Sequence, residues 1–250
     1  MSEPITLDDP TAYFERLADF EADHWWSTAL WRIAARWIDA EGGAGRVAID
    51  VGCGAGMTLA RLAARPGIAS VIGVDPIGAA LIRARSHGHQ VASASALALP
   101  FPSEAFELAT CLDVFQHLPP EGDRVAAGEI ARVLRPGGIA ILRTNCGGKS
   151  AYRLGDLRAT LEPGGLRVER ATRVNFVGSM AQVVRGRLRP GRVRSHPEGG
   201  GLPGPATGGK IGSRVMAAVG RAEAFIVAGL GWDLPYGHSA MVLARKVRGG

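Results

Sequence analysis

The 250-residue chain predicts an α/β fold: an open, doubly wound and mostly parallel sheet with helices on both faces. Two observations carry this. Between residues 46 and 145, short apolar runs alternate with helical repeats, so each strand is separated from the next by a crossover helix. The first run, Val47-Ala-Ile-Asp-Val51, leads straight into glycines at every second position, Gly52, Gly54 and Gly56, and the second run ends on an acid, Asp75. A strand, glycine turn, helix, strand and acid in that order let backbone approach a nucleoside-bearing ligand and offer a carboxylate to its ribose hydroxyls.

The elements follow in order. Residues 11–40 are expected to be helical, with Tyr13, Phe14, Leu17 and Phe20 and then Trp25, Trp26, Leu30, Trp31, Ile33, Trp37 and Ile38 at apolar positions. Strands are expected at 47–51, 70–75, 89–93, 106–112 and 138–144, and helices at 57–65, 77–87 and 122–134. Arg135-Pro-Gly-Gly138 is expected to stop the third of these helices just before a strand. A helix at 151–161, a strand at 166–176, an apolar helix at 213–230 and a returning strand at 239–245 complete the chain. Residues 186–212 collect Gly, Pro and Arg and read as a flexible loop, expected to cover the acceptor site and to order on substrate binding. The chain is thus expected to form one domain. Residues 1–44 are its N-terminal helical cap, 45–145 its cofactor-binding core, and 146–250 its substrate-side part.

A chain of this length can bury a substantial core. No run approaches the roughly 18 apolar residues of a membrane span, and residues 1–10 lack a signal peptide's basic and apolar regions, so a cytoplasmic protein is expected. Charge is uneven. Residues 1–150 carry 13 Lys/Arg against 17 Asp/Glu, whereas residues 151–250 carry 16 against 6. Arg185, Arg187, Arg189, Arg192 and Arg194 form a run suited to a phosphorylated substrate, an anionic membrane surface or nucleic acid, or simply to a solvated loop. Cys53, Cys111 and Cys146 lack the spacing of a zinc site and read as small, semi-buried apolar residues; no metal is expected.

Spacing selects the cofactor. A dinucleotide turn wants G-x-G-x-x-G facing a pyrophosphate, but Met57 stands where the last glycine would follow. Asp50, just inside the strand, would repel a diphosphate and attract an ammonium. S-adenosylmethionine has an ammonium, a sulfonium and a ribose, and no phosphate.

The turn therefore resembles motif I of the class I S-adenosylmethionine-dependent methyltransferases, and the likeness extends well beyond it. Residues 93–108, with Leu99-Pro-Phe101, resemble the segment before the fourth strand in the small-molecule, type 11-like members. Leu112-Asp-Val-Phe-Gln-His117 and Glu129-Ile-Ala-Arg-Val-Leu-Arg-Pro-Gly-Gly138 resemble the family too. So does the pairing of His24-Trp25-Trp26 with Leu234-Pro-Tyr-Gly-His-Ser239. The resemblance spans most of the chain and fails across 186–212. It implies a Rossmann-like, seven-stranded sheet and methyl transfer to a small-molecule, glycan or lipid-linked acceptor, which can be anionic.

On this likeness Gly52, Cys53, Gly54 and Gly56 form the turn at the methionine portion, with Asp50 organising its ammonium. Asp75 would hold the ribose, Pro76 and Ile77 one adenine face, Ser95, Ala96 and Leu97 the other, and Asp113, Val114 and Phe115 the floor near the sulfonium. Ser95 departs from the family, which usually has an Asp there, and a neutral hydrogen bond is about half as strong as a charge-assisted one. His117 after the fourth strand is the candidate general base, and His24 the second if the N-terminal helix closes as a lid. Arg143 and Asn145, ending the fifth strand, are placed to face the acceptor, and Arg143 can alternatively pair with Asp113.

Three alternatives remain. An RNA methyltransferase suits the basic C-terminal half, but no Asn/Asp-Pro-Pro-Tyr follows the fourth strand and no aromatics interleave the arginines, so no nucleic-acid partner is expected. A nicotinamide oxidoreductase is disfavoured by Met57. A degenerate, non-catalytic protein that binds the cofactor is the third. Peripheral membrane contact is compatible with the composition.

Overall fold

The computed structural model describes residue 14 and residues 24–146, 152–180 and 209–247. Seven strands, β1 (Arg46–Val51), β2 (Ile68–Asp75), β3 (Gln90–Ser93), β4 (Phe106–Leu112), β5 (Leu134–Asn145), β6 (Leu166–Val174) and β7 (Ser239–Lys246), pair in the order β3-β2-β1-β4-β5-β7-β6. β7 runs antiparallel to β5 and β6, and the remaining pairs are parallel. Among the described residues, the helices that flank the sheet include α1 (Trp25–Ala40), α2 (Met57–Ala63), α3 (Gly78–Ser86), α4 (Gly122–Val133), α5 (Leu154–Leu161) and α6 (Gly209–Ala224). The expected mostly parallel, seven-stranded, doubly wound sheet and N-terminal helix are both present.

β1 lies inside the sheet between β2 and β4, and its run of apolar residues is buried on both faces, as parallel strands covered by helices require. Ile49 and Val51 belong to the layer filled by Ala126, Ala127 and Ile130 of α4 and by Leu157 and Leu161 of α5. Ala48 belongs to the opposite layer, with Leu30, Ile33 and Trp37 of α1 and with Val227. α6 crosses α1 closely, because a Cβ on Gly220 would come within 2.7 Å of Ala29 Cβ. Strand order reverses between β1 and β4, so their carboxyl ends open the crevice in which such sheets bind ligands.

Several boundaries differ from expectation. β5 begins at Leu134, with no gap after α4. Arg135-Pro-Gly-Gly138 lies inside the strand, where the register shifts between the Phe106–Leu134 and Leu108–Ile139 pairs. Pro136 cannot donate to a ladder, so the segment is accommodated as an irregularity rather than a stop. The expected strand to 176 ends at Val174, because Asn175 takes a left-handed conformation. The expected helix at 213–230 starts earlier, at Gly209, and closes in a wider turn at Phe225–Gly229, where Leu230 N–H donates to Phe225 O at 3.0 Å. Residues 1–13, 15–23, 147–151, 181–208 with the arginine run, and 248–250 lie outside the described residues.

Candidate functional site

The turn after β1 needs its three glycines for different reasons. Gly52, at φ +76°, donates to Val74 O at 2.7 Å, and a Cβ there would collide with Val114. Gly56 precedes α2, where a Cβ would meet His89 Cδ2 at 2.8 Å and Ala84 Cβ at 3.2 Å. Gly54, at φ +51°, has nothing within 4 Å of its Cβ position. Packing therefore demands Gly52 and Gly56, while Gly54 keeps open space at the carboxyl end of β1. Cys53 turns away from that space: its Sγ would stand 2.6 Å from a Cβ on Gly73. The side chain fills a gap in the sheet and only its backbone is left to the turn.

Two carboxylates lie beneath this turn. Asp50 is 2% exposed and its Oδ1 accepts from Thr110 Oγ1 at 2.6 Å, across the β1–β4 pairing. Asp75 is 7% exposed; Oδ2 accepts from Gly54 N–H at 3.0 Å and Oδ1 from Ile77 N–H at 2.9 Å. The acid ending β2 thus ties the glycine turn to the start of α3. A carboxylate has about four lone-pair sites, so it keeps acceptor capacity for a ribose diol. Their combined field is visible in the Cys53 thiol, which burial, then Asp50, then Asp75 push far above its usual range. Cys111 is raised by burial and by Asp50 and Asp113, and Cys146 by burial. All three are free thiols and unreactive at neutral pH.

Pro76 and Ile77 are exposed beyond Asp75, as a face for adenine requires. On the other side, Ser95 Oγ accepts from Leu97 N–H at 3.2 Å, and Ser95 O from Ala98 N–H at 3.1 Å, closing a tight turn. Ala96 is buried in the core. The segment beyond is clamped from α4. Glu129 Oε2 accepts from Leu99 N–H at 2.7 Å, while Arg132 donates to Leu99 O at 2.9 Å, to Phe101 O at 2.7 Å and to both Glu129 oxygens. Two family-like phrases, Leu99-Pro-Phe101 and Glu129–Arg132, are thus one interlocked unit.

Arg132 holds the Glu129 carboxyl below its ordinary 4.5. A depressed carboxyl contributes stability that is complete above that ordinary value and is lost as pH falls through the lowered one. Glu129→Gln is expected to cost about 1 kcal/mol at neutral pH after solvent screening. It should also flatten the fall in stability as pH drops below the ordinary carboxyl value, as read by urea unfolding at several pH values.

At the end of β4, Asp113 adopts φ +60° and its N–H donates to Arg143 O at 2.8 Å. Arg143 returns a two-pronged grip, Nε on Oδ1 at 2.9 Å and Nη2 on Oδ2, and its guanidinium lies 4.8 Å from the Trp26 ring. The residues expected to serve cofactor and acceptor separately form one unit that carries the first turn of α1. Val114 packs against Gly52, whereas Phe115, expected on the floor of the site, is 3% exposed and points into the core. It is followed by Gln116, which sequence reasoning did not single out. Gln116 Oε1 accepts from Thr144 Oγ1 at 2.9 Å and from Asn145 N–H at 3.3 Å, locking the turn to β5. A polar residue just after a strand was the available signal, but its partners lie 28 and 29 residues away.

His117 is exposed on the same turn, at the carboxyl end of the sheet. His24 caps α1: its Nδ1 accepts from Trp26 N–H at 3.3 Å, which puts the ring proton of the neutral form on Nε2, and burial lowers its pKa. Phe14 packs against Ala55 of the glycine turn and Ala79 and Ala80 of α3. Tyr236 and His238 stack edge-to-face just before β7, and His238 O accepts from Cys146 N–H at 2.6 Å. Among the described residues, no group of three His, Cys, Asp or Glu is arranged to hold a metal, and no helix is long and apolar enough to cross a membrane.

A family model described as a methyltransferase domain matches residues 49–142, the stretch from Ile49 of β1 to Leu142 of β5. A ubiquinone biosynthesis O-methyltransferase of Pseudomonas paraeruginosa is 31% identical over 155 residues, covering 54% of this chain and 65% of that protein. The chain thus spans just under two thirds of this curated relative's length. Among solved structures, a TehB-like S-adenosylmethionine-dependent methyltransferase of Corynebacterium glutamicum gives a TM-score of 0.59 at 17% identity, over 95% of this chain and 100% of that one. The geranyl diphosphate C-methyltransferase of Streptomyces coelicolor, solved with Mg2+, geranyl diphosphate and S-adenosyl-L-homocysteine, gives 0.56 at 14% identity, over 86% and 77%. At such identities the structures speak for the fold, and the matched domain falls on the strands that build the crevice. Residues 49–142 are thus similar to a methyltransferase domain, carried on a fold shared with S-adenosylmethionine-dependent methyltransferases.

Proposed function

We propose that this protein, as a single domain, transfers the methyl group of S-adenosylmethionine to a small-molecule acceptor. The observation that carries this reading is the pair of buried carboxylates, Asp50 and Asp75, beneath a glycine turn whose middle member opens onto free space. Their negative field disfavours a diphosphate and suits a ligand with an ammonium and a sulfonium. The cofactor supplies an electrophilic methyl on that sulfonium. Protein groups then have to bind and orient two molecules in line. Asp50 would face the ammonium, Asp75 the ribose, and Pro76, Ile77 and the 95–97 turn the adenine. Ser95 retains its hydroxyl proton to donate to a ring nitrogen.

For a hydroxyl acceptor, we assign proton removal to His117, which is exposed at the carboxyl end of β4. His24 is less suited, since Trp26 N–H occupies the lone pair a base would use. Arg143 is engaged by Asp113 and Trp26, and we read it as the support of the acceptor side; Asn145 beside it remains exposed. The relatives named as ubiquinone O-methyltransferases make hydroxylated aromatics the first acceptors to screen.

Titration calorimetry with S-adenosylmethionine and S-adenosylhomocysteine tests the reading. Micromolar binding of both is expected; no binding of either by a folded sample would overturn it.

A further inference from the structure

α6 carries a second feature, on the side turned away from the core. Among the described residues its exposed positions are Arg214, Val215, Ala218, Arg221 and Ala222, and Phe225 follows at the same helical spacing; this stripe holds no acid. The only acid of the helix, Glu223, is turned inward, where it accepts from the backbone N–H groups of Asn175 and Phe176. The stripe continues past the helix into Leu230 and Trp232, held close by bonds from Leu230 N–H to Phe225 O and from Trp232 N–H to Ile226 O. Val215, Phe225, Leu230 and Trp232 are 56%, 51%, 50% and 66% exposed. Isolated exposed apolar residues need no explanation, but four on one helix and its closing turn do.

Cations border this apolar line. Arg214 and Arg221 lie on the stripe itself, and from α1 the guanidinium of Arg36 sits 5.6 Å from the Phe225 ring, with exposed Arg32 one turn away. Asp233 is the one exposed acid beside Trp232. An apolar line with aromatic ends and an arginine margin matches a helix lying in the plane of a membrane surface, where apolar insertion and attraction to anionic headgroups act together. A second copy is the poorer occupant, since a two-fold contact would set these arginines against their own equivalents.

We propose that the outer face of α6 and the 225–232 turn form a docking surface for an anionic phospholipid membrane. This is independent of methyl transfer and would bring the enzyme to acceptors that reside in or near the bilayer.

The test is co-sedimentation of the full chain with phosphatidylcholine vesicles, with and without phosphatidylglycerol. Pelleting with the anionic vesicles only is expected. Phe225→Ser with Trp232→Ser, and separately Arg214→Ser with Arg221→Ser, should each weaken it by about tenfold or more. All four residues are exposed and outside the cofactor site, so thermal unfolding and S-adenosylmethionine titration should stay unchanged. Absence of pelleting overturns the proposal. So does pelleting that survives the Phe225/Trp232 pair, which would assign it to other basic residues. A drop in solution mass in that variant by light scattering, with vesicle binding intact, would assign the face to a second copy instead.

Discussion

Asp75→Ala is expected to weaken S-adenosylmethionine binding by about 1.5–3 kcal/mol, roughly 10- to 150-fold, the loss of hydrogen bonds to a charged group. Two effects combine. The ribose loses its carboxylate, and Gly54 N–H and Ile77 N–H lose the acceptor that fixes the turn against α3. Asp75→Asn separates them, because an amide keeps one carbonyl acceptor but turns its NH2 toward a backbone donor. It should bind more weakly than the native protein and unfold at lower temperature. Unchanged affinity in a folded Asp75→Ala variant would remove Asp75 from the site.

Gly52→Ala is expected to destabilise the fold by about 2–5 kcal/mol. Left-handed backbone costs an alanine roughly 1–2 kcal/mol, and driving a methyl into Val114 adds about 1–3 kcal/mol more. Gly54→Ala carries the same conformational cost without the collision, because nothing lies within 4 Å of its Cβ position. It should lose only about 1–2 kcal/mol of stability while its affinity for the cofactor falls. Denaturant unfolding of both variants decides the matter: equal losses would show that Val114 yields and that packing does not explain Gly52.

The parallel core was legible because alternation of apolar runs and helical repeats is a local pattern. The glycine turn and its acids were legible to the same extent: Gly52, Gly54, Asp50 and Asp75 lie within two consecutive strands and one turn, where spacing specifies geometry. The grip of Arg143 on Asp113 was one of two options in the sequence; choosing it required β4 and β5 to be neighbours and Trp26 of α1 to arrive above them. Gln116 and the Glu129–Arg132 clamp depend on partners 28 to 33 residues away, which no periodicity encodes.

Element ends were least legible. Arg135-Pro-Gly-Gly138 carries stop signals, yet the demand of β4 for a partner draws the segment into the sheet. The direction of Phe115 was unreadable for the same kind of reason, since adjacent residues after a strand end can turn to crevice or core. By itself, then, the sequence determined the layered sheet and the turn with its two acids, because local spacing and burial pattern dictate them. Only the tertiary structure decided which polar side chains became partners and which face of α6 and its closing turn was left with arginines and aromatics, because those outcomes depend on distant segments packing side by side.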